Sequence, residues 1–585
     1  MNTHLGTSYC FDDILMEPLL SEISTRKAIF LETNIATNNR KLILKTPLIS
    51  SPMDTVTETD MAIKMALNGG LGIIHRYMSI EDQVAQVTKV KRFLQYIIQE
   101  PYKITPEVKL KEIEELRTLY NVSSFCVVDN HESNNLLGII TRRDIEYMIY
   151  CESNLESEII ENHNKLNNQL NNQLNNQILD FCAKDFMTKV DKLSMLDISN
   201  IDKNEDYDII NKMNEGDGTN EKNTSNKYNN KINQYNLNLD STLNLAKYLI
   251  HKNKIEKIPI INGSVLVGLI TLKNICHYEN NKSKACIDSN GALCVGSAIG
   301  IVDDYMERLE KLVEAGSDLI CIDVANGFNV NVFSSISVIR TKYPNIVLMV
   351  GNVCNWQGYA ALSQYDVDCI RIGVGNGSIC TTRLETGIGK GQFSAVSECF
   401  NYKTTTEKQS CTENISITLQ LPNLICDGGS LGKTGNKVKA LACGASAIML
   451  GRTLASTIES PGTIIHRNGK RFKYIRGMAS TMANLSKQEK SKDSKDSKDS
   501  KDSKDSKNTN VSVSSHSEGV DGEQELSGSV VDVIEQINGG LKSGMSYLGC
   551  KSISKLHNKS ENGEIKFNLV TSIGMSENGI RVKTY

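Results

Sequence analysis

Leu319-Ile320-Cys321-Ile322-Asp323 is a short apolar run that ends in a carboxylate, and a similar run, Cys369-Ile370-Arg371-Ile372, ends at Gly373. Short apolar runs that end at a glycine or a polar residue, and that alternate with helical stretches, are typical of parallel strands. Further strands are predicted at Pro47-Ser51, Gly72-His75, Val347-Val350, Leu424-Cys426 and Ala447-Leu450. The sequence therefore predicts an α/β protein built on a parallel barrel, with its chemistry just after the strand ends.

Composition narrows the classes of function. The 585 residues, 39% of them hydrophobic, suffice for more than one domain with ordinary cores. A net charge of -3 gives no field that would gather nucleic acid or an anionic membrane, so we expect neither as a partner. No apolar run is long enough to span a bilayer, and Met1-Asn2-Thr3-His4 does not begin a signal segment. These features predict a cytoplasmic protein.

The 16 cysteines lie singly, without the paired spacing of a zinc site, and most are predicted to be buried thiols. Cys380 differs because it lies in the loop Gly373-Val374-Gly375-Asn376-Gly377-Ser378-Ile379-Cys380-Thr381-Thr382-Arg383. Glycines let the backbone approach a ligand, and neighbouring hydroxyl and N–H donors favour a thiolate. Chemistry alone leaves two interpretations of Cys380 open, a nucleophile and a packed thiol.

Three stretches have low complexity, namely the Asn-rich runs near 162–176 and 200–233 and a Lys-Asp-Ser repeat through 491–507. They contain too few apolar residues to form a core. Because the entropy of closing a loop grows slowly with its length, we interpret them as spacers inserted in surface loops.

A weak internal repeat flanks the two Asn-rich runs. Its copies end in Gly138-Ile139-Ile140-Thr141 and Gly268-Leu269-Ile270-Thr271, each after a strand and before a helix. The repeat, over about Ile104 to Glu279, resembles a pair of cystathionine-β-synthase (CBS) motifs, a Bateman domain. We predict three parts, which are a first part of the barrel at 1–101, the CBS insert with its Asn-rich loops at 102–284, and a second part of the barrel at 285–585 with a low-complexity flap at 486–516.

Five segments together resemble the IMP dehydrogenase and GMP reductase family. They are the Cys380 loop, Ser51-Pro52-Met53-Asp54-Thr55-Val56, Gly351-Asn352-Val353, Asp427-Gly428-Gly429 and Arg476-Gly477-Met478. Their order and spacing match the family over nearly the whole chain. The resemblance implies a (β/α)₈ TIM barrel, and it accounts for the insert because many members carry a CBS pair there.

The resemblance also implies roles for individual residues. Cys380 would bond to C2 of a purine nucleotide, Ser378 and oriented backbone N–H groups would hold the 5'-phosphate, and Asp427 would accept from the ribose hydroxyls. The implied substrate-binding set is Ser51, Met53, Ser378, Asp427, Gly428, Gly429, Gly451, Arg452, Gly477 and Met478. Each of these residues taken alone also has a purely structural interpretation, in which the glycines turn the chain and Asp427 caps the following helix.

Three marks favour a GMP reductase. From Ala479 through Gln524 the chain has no arginine or tyrosine, whereas the resemblance implies an Arg-Tyr pair there in enzymes that hydrolyse their intermediate. Asp323-Val324-Ala325-Asn326-Gly327 and the stretch from Thr386-Gly387-Ile388-Gly389 are also closer to reductases. Four features look more like an IMP dehydrogenase. They are the amino-terminal segment, the CBS insert, Arg476-Gly477-Met478, and the stretch from Ser517-Glu518-Gly519-Val520 through Gly539-Gly540-Leu541-Lys542-Ser543-Gly544-Met545. IMP dehydrogenase, which oxidises IMP to XMP with NAD, is the alternative.

In the predicted reaction Cys380 attacks GMP, ammonia leaves, and NADPH delivers hydride to give IMP. Reductases resemble one another in a glutamate that shares the leaving amine's proton with a loop threonine, but Thr481 stands at that position here. Thr382 keeps the threonine, and Glu489 or Glu518 would replace the glutamate, with Glu489 preferred. The missing glutamate also motivates a third hypothesis, an inactive nucleotide sensor.

The resemblance implies further ligands and partners. NADPH would lie on Asp323, Asn326 and Gly327, and a potassium ion on carbonyls near Gly375, Gly377 and Cys380. A regulatory purine nucleotide would bind the CBS pair through Thr141, Asp144 and Thr271, although Asn274 departs from the pattern and the pair could serve assembly alone. Relatives form homotetramers that pair into octamers.

Overall fold

The computed structural model of the chain describes residues 6–94, 97–98, 101–120, 122–130, 132–148, 181–199, 239–412, 420–429, 431–478, 519–571 and 573–574. It divides into two compact units. The first contains Met1–Phe93 and Asn281–Tyr585, and the second contains Leu94–Asn280.

The first unit is a closed barrel of parallel strands. In order around the barrel the strands are Gly296–Ile299, Leu319–Asp323, Val347–Val353, Cys369–Ile372, Asn423–Asp427, Ala447–Leu450, Leu48–Ser50 and Leu71–Ile74. Every neighbouring pair is parallel, including the closing pair of Gly296–Ile299 with Leu71–Ile74. This architecture confirms the predicted (β/α)₈ barrel.

Helices follow the strands and cover the outside of the barrel. They are Thr59–Leu67, Ile80–Phe93, Tyr305–Glu314, Val330–Lys342, Trp356–Leu362, Gln392–Thr412, Thr434–Ala442 and Val530–Tyr547. Each buries an apolar stripe, as Leu309 and Leu312 show in Tyr305–Glu314. Strand and helix approach closely where side chains are small, since a Cβ on Gly72 would lie 2.5 Å from Ala62 Cα.

One barrel strand is missing from the sequence prediction. Gly296-Ser297-Ala298-Ile299 pairs with both of its neighbours and is fully buried. Three of its four residues are small, and Ile299 is its one β-branched side chain, so the strand lacks the apolar run by which the others were recognised. The other seven strands are present where predicted, with small shifts at their ends.

Buried side chains fill the barrel interior in layers. The cluster includes Ile49, Ile73, Ala298, Cys321, Met349, Cys369, Ile425 and Met449. Because the interior is packed, a ligand can reach the barrel only at its ends, and the carboxyl end carries the glycine-rich loops.

Further elements of the first unit lie outside the barrel. The strands form the pairs Ile14–Met16 with Phe567–Leu569 and Thr33–Asn34 with Ile43–Leu44, and the antiparallel sheet Ile464–Arg467, Lys470–Arg476 and Asp521–Glu525. The helices are Phe11–Asp13, Arg26–Ala28, Thr382–Thr386, Arg452–Ala455 and Ile553–Glu561.

The second unit contains two four-stranded sheets that share one plan. One has the order Thr188–Lys189, Leu136–Thr141, Ser124–Val128 and Lys103–Ile104, and the other Leu196–Asp197, Lys257–Asn262, Val265–Thr271 and Ile97–Ile98. The helices are Leu110–Tyr120, Ala183–Phe186, Val190–Lys192, Leu239–Asn253 and Leu272–Asn281, with helical residues at 142–148. The repeated tetrapeptides end equivalent strands, so the internal repeat is real.

The limits of the second unit differ from the predicted insert at 102–284. The unit begins at Leu94, because Ile97–Ile98 pairs with Ile270 and Leu269, and it ends at Asn280. Most of the Asn-rich runs and the predicted flap at 486–516 lie outside the described residues. Within the part of the chain that the structure describes, no helix is both long and apolar enough to cross a membrane.

Candidate active site

Cys380 lies on the loop after strand Cys369–Ile372, at the carboxyl end of the barrel. Its Sγ is 3.1 Å from Thr382 Oγ1, and either atom can be the donor. Thr382 begins the short helix Thr382–Thr386, and Cys380 N donates to Gly377 O at 3.2 Å in the turn before it. The loop thus holds a partly exposed thiol against a hydroxyl, as a nucleophile with a proton partner requires.

Other thiols in the barrel have different surroundings. Cys321 and Cys426 are fully buried, and burial raises the pKa of each to about 12. They therefore stay protonated at neutral pH. Each cysteine in the described part of the chain is a free thiol, and Cys380 is one of the few that are not buried.

A second group of polar side chains joins the ends of four neighbouring strands. Arg371 Nη1 donates to Asp323 Oδ1 at 2.6 Å, and Nη2 donates to Asp427 Oδ2 at 2.8 Å. Asn352 Nδ2 donates to the same Asp427 oxygen at 2.9 Å and to Gly373 O at 2.8 Å. Burial disfavours the charge on Arg371, but the two carboxylates outweigh it and raise the pKa of the guanidinium.

Two amide side chains fix the loop before Cys380. Asn376 Nδ2 donates to Asp427 O at 2.9 Å, and Gly429 N donates back to Asn376 O at 3.2 Å. Buried Gln392 donates from Nε2 to Ile372 O at 2.6 Å and accepts from Asn376 at 2.5 Å. A Cβ on Gly429 would lie 2.6 Å from Gln392 Cβ, and the φ of Gly429 is +84°, so only glycine fits there.

The predicted substrate-binding residues come from several loops at this end. A Cβ on Gly451 would lie 3.4 Å from Met53 Sδ and 3.6 Å from Ser51 Oγ, so these three residues adjoin. Ser51 is buried, and its N donates to Leu450 O at 3.0 Å. Arg452 begins the helix Arg452–Ala455, and its side chain is exposed. Ser378 is also exposed, and no hydrogen bond orients it among the described residues.

Gly477 and Met478 follow strand Lys470–Arg476, which reaches the Cys380 loop. Arg476 Nε donates to Asp54 Oδ2 at 2.7 Å, and this bond raises the pKa of Arg476. Gly477 N donates to Val520 O at 3.1 Å, and Val520 N donates to Ile379 O at 3.0 Å. The backbone at Gly519 pairs with Cys380, and a Cβ on Gly477 would lie 3.1 Å from Ile379 O, so both of these described glycines adjoin the Cys380 loop.

A pocket of about 370 Å³ opens next to Thr382. Its lining is mostly apolar and comprises Ala325, Asn326, Phe328, Val353, Cys354, Asn355, Val374, Thr382, Thr386 and Ile388. Gly327, from the same segment, donates to Asn352 O at 2.7 Å. A flat ring with an amide group fits an apolar slot that offers Asn326 and Thr382 as polar contacts.

The predicted regulatory residues lie in the second unit. Asp144 Oδ2 accepts from Thr141 N and Thr141 Oγ1, each at 2.7 Å, and Oδ1 accepts from Thr188 at 3.2 Å. In the other half, Thr271 Oγ1 donates to Asn274 Oδ1 at 2.8 Å. Only the first half therefore offers a carboxylate at this position.

Three residues considered for the proton of the leaving amine, Glu489, Glu518 and Thr481, lie outside the described residues.

Sequence reasoning missed Arg371 as a site residue. A signal was present, because an arginine interrupts the otherwise apolar run Cys369-Ile370-Arg371-Ile372. Such a residue is normally excluded from a buried strand unless it is paired. Asn376 and Gln392 carried no comparable signal, since their roles depend on a loop fold that spacing does not define.

The fold and the site together define a barrel enzyme with its chemistry at the carboxyl end of the strands. A family model described as IMP dehydrogenase / GMP reductase domain matches residues 8–581. The inosine-5'-monophosphate dehydrogenase of Bacillus subtilis is 34% identical over 572 residues, covering 97% of this chain and 94% of that protein. The enzyme of the same name from Nitrosopumilus maritimus is 33% identical over 554 residues, covering 94% of each.

Among solved structures, a Trypanosoma brucei GMP reductase variant in complex with guanosine 5'-monophosphate has a TM-score of 0.74 and 30% identity, covering 100% of both chains. The T. brucei GMP reductase in complex with guanosine 5'-triphosphate has a TM-score of 0.65 and 26% identity, covering 97% of this chain and 99% of that one. The chain belongs to the IMP dehydrogenase/GMP reductase family. It is an oxidoreductase that acts on a purine nucleotide with a nicotinamide cofactor.

Proposed function

We propose that the protein is a GMP reductase, which converts GMP to IMP and ammonia. The observation that carries the proposal is the pairing of Cys380 Sγ with Thr382 Oγ1 at 3.1 Å beside a pocket that Thr382 and Asn326 both line. The residues 479–524, without arginine or tyrosine, offer no such side chain to activate water. A solved GMP reductase that resembles the whole chain supports this choice.

The residues have defined tasks in this reaction. Cys380 Sγ bonds to C2 of GMP, and the exocyclic amine leaves as ammonia after it gains a proton. The Thr382 hydroxyl lies where it can pass that proton, and Glu489 is proposed as the second donor. Bound NADPH supplies the hydride that C2 receives before the bond to Sγ breaks and IMP is released. The fixed Asp427 carboxylate positions the ribose, so C2 is held against Sγ.

Other ligands complete the proposal. The apolar lining of the pocket, which includes Asn326, suits the nicotinamide ring, and Asp323 and Gly327 are proposed as further cofactor contacts. We propose that the carbonyls of Gly375, Gly377 and Cys380, which belong to one loop, would hold a potassium ion. In the second unit, Thr141, Asp144 and Thr271 would hold a regulatory nucleotide, and the similar T. brucei GMP reductase is solved in complex with guanosine 5'-triphosphate. We further propose a cytoplasmic homotetramer that can pair into octamers.

The alternative function is IMP dehydrogenase, which the names of the similar curated proteins favour. In that reaction IMP is oxidised by NAD, and a water molecule must then be activated. An inactive nucleotide sensor remains the third hypothesis, but Cys380 and Thr382 are both present and paired.

One experiment separates the three hypotheses. The purified protein is given GMP with NADPH, and separately IMP with NAD, while absorbance at the nicotinamide band is followed. We expect NADPH loss with equal release of ammonia, abolished in Cys380→Ala and retained in the control variant Cys276→Ala, which removes an exposed thiol of the second unit. NADH formation from IMP would establish the dehydrogenase, and no reaction in either mixture would favour the sensor.

A further inference from the structure

Arg371 connects the two sides of the candidate active site through one guanidinium group. Asp323 ends one barrel strand and Asp427 ends another, and strand Val347–Val353 separates the strand of Asp323 from that of Arg371. The arginine reaches both carboxylates directly, at 2.6 and 2.8 Å. Its side chain is 8% exposed, and both aspartate side chains are 17% exposed.

Arg371 cannot easily release one carboxylate of this bridge between Asp323 and Asp427 while it keeps the other. A guanidinium is planar and presents its N–H groups in a rigid fork, so the group cannot turn toward one carboxylate without leaving the other. Leaving either carboxylate unpaired at this depth is costly. The pKa of Arg371 is raised, so the bridge stays charged at every physiological pH. Movements of Asp323 and Asp427 are therefore linked.

The bridge also leaves one oxygen of each carboxylate available. Among the described residues, the hydrogen bonds to the Asp427 side chain all go to Oδ2, from Arg371 and Asn352. Those to the Asp323 side chain go to Oδ1, from Arg371. Asp427 Oδ1 and Asp323 Oδ2 can therefore accept from ligands while the bridge stays intact.

We infer that Arg371 is a positioning residue that couples nucleotide binding to cofactor binding. This inference rests on the proposed function, in which Asp427 holds the ribose of the nucleotide and Asp323 lies on the cofactor side. A nucleotide that fixes Asp427 also fixes Arg371 and, through it, Asp323. The cofactor then binds a carboxylate that is already ordered, so each ligand tightens binding of the other.

The test measures binding without turnover. In Cys380→Ala protein, calorimetry gives the Kd of NADPH with and without saturating GMP, and the ratio of the two values is the coupling. We expect GMP to tighten NADPH binding by about five-fold or more. With Arg371→Lys added, the ratio should fall to near one, because the flexible lysine side chain lacks the planar fork that fixes both carboxylates at once. A parent ratio of one, or an unchanged ratio in Arg371→Lys, would overturn the inference.

A matched control is available at the other end of the barrel. Arg340 is also nearly buried, and it contacts Asp368 at 2.7 Å and Asp366 at 3.6 Å. Arg340→Lys should lower stability in the same way while keeping the parental ratio. If it abolished the coupling too, the effect would be structural and the inference would fail. Should Arg371→Lys not fold, Asp323→Asn weakens one half of the bridge, and it should also lower the ratio.

The same assay with IMP and NAD separates this inference from the proposed function. Turnover of IMP by the unsubstituted protein would overturn the proposed reaction. Coupling between IMP and NAD that depends on Arg371 would then leave the role of Arg371 intact. Coupling absent from both ligand pairs would overturn the inference even in a protein that reduces GMP.

Discussion

Local surroundings distinguish Cys380 from Cys321 and Cys426. The latter two are fully buried, and burial raises the pKa of each thiol to about 12. Cys380 instead lies on a loop that is held in place by the hydrogen bond between Asn376 and Gln392. The hydroxyl of Thr382 lies beside its sulfur. A bond to an incoming electrophile requires both access and a fixed sulfur position, and this loop supplies both.

Removing the Thr382 hydroxyl should impair chemistry more than binding. Thr382→Val keeps the shape of the side chain but loses the group 3.1 Å from Cys380 Sγ. We expect kcat for GMP reduction to fall about 10²-fold or more, with little change in the Kd of GMP. Steady-state kinetics and calorimetry measure the two quantities. Thr341→Val, which removes a surface hydroxyl bonded to Ser337 O, is the control and should change neither. A mainly raised Kd would mean that Thr382 only binds.

His557 should make stability depend on pH. Burial lowers its pKa from 6.5 to about 4, so the folded protein keeps the ring neutral while the unfolded chain takes up a proton below about pH 6.5. Stability is therefore lost as pH falls from 6.5 to 4, by about 3 kcal/mol from this group. His557→Gln should flatten that part of the curve in urea unfolding at several pH values. The exposed His466→Gln should not, and parallel curves for all three proteins would contradict the assignment.

At the scale of elements, sequence patterns predicted what depends on local composition. Seven strands were readable because they are apolar runs with polar ends. Gly296–Ile299 was not readable, because three of its four residues are small and its burial comes from the strands on both sides. For the site, the resemblance identified the loops, but the bridge through Arg371 depends on which strand ends meet in space. The contact between Thr382 and Cys380 could not be predicted either, because it depends on how the loop turns between Gly377 and Cys380.

Two adjacent glycines in helix Val530–Tyr547 should respond oppositely to alanine. Gly539 has open space where a Cβ would lie, so Gly539→Ala should stabilise the protein by about 0.5–1 kcal/mol through the helix propensity of alanine. A Cβ on Gly540 would overlap Thr434 Cγ2 of the neighbouring helix, so Gly540→Ala should destabilise it by about 1–3 kcal/mol. Denaturant midpoints measure both changes. Changes of the same sign would show that these helices do not pack as described.

At the scale of the whole molecule, the two units have separate cores. The barrel cluster draws only on residues of the first unit, and the clusters around Ile258, Ile140 and Leu269 draw only on residues of the second. A unit with its own core can fold alone. The proposed catalytic site and the proposed regulatory site therefore belong to units that can be separated by experiment.

Replacing 94–280 by a short Gly-Ser linker should leave an active barrel. Because no barrel core residue is lost, we expect a cooperative thermal transition and a kcat/KM for GMP within about three-fold of the full chain. A response of the full chain to added guanosine triphosphate should disappear in the deletion variant and weaken in Asp144→Asn. The full-length Asn274→Ala, altered at the equivalent position that lacks a carboxylate, should keep that response. A folded deletion variant that still responds to the nucleotide would show that the regulatory site lies in the barrel. A deletion variant that fails to fold would show that the barrel needs the second unit for stability.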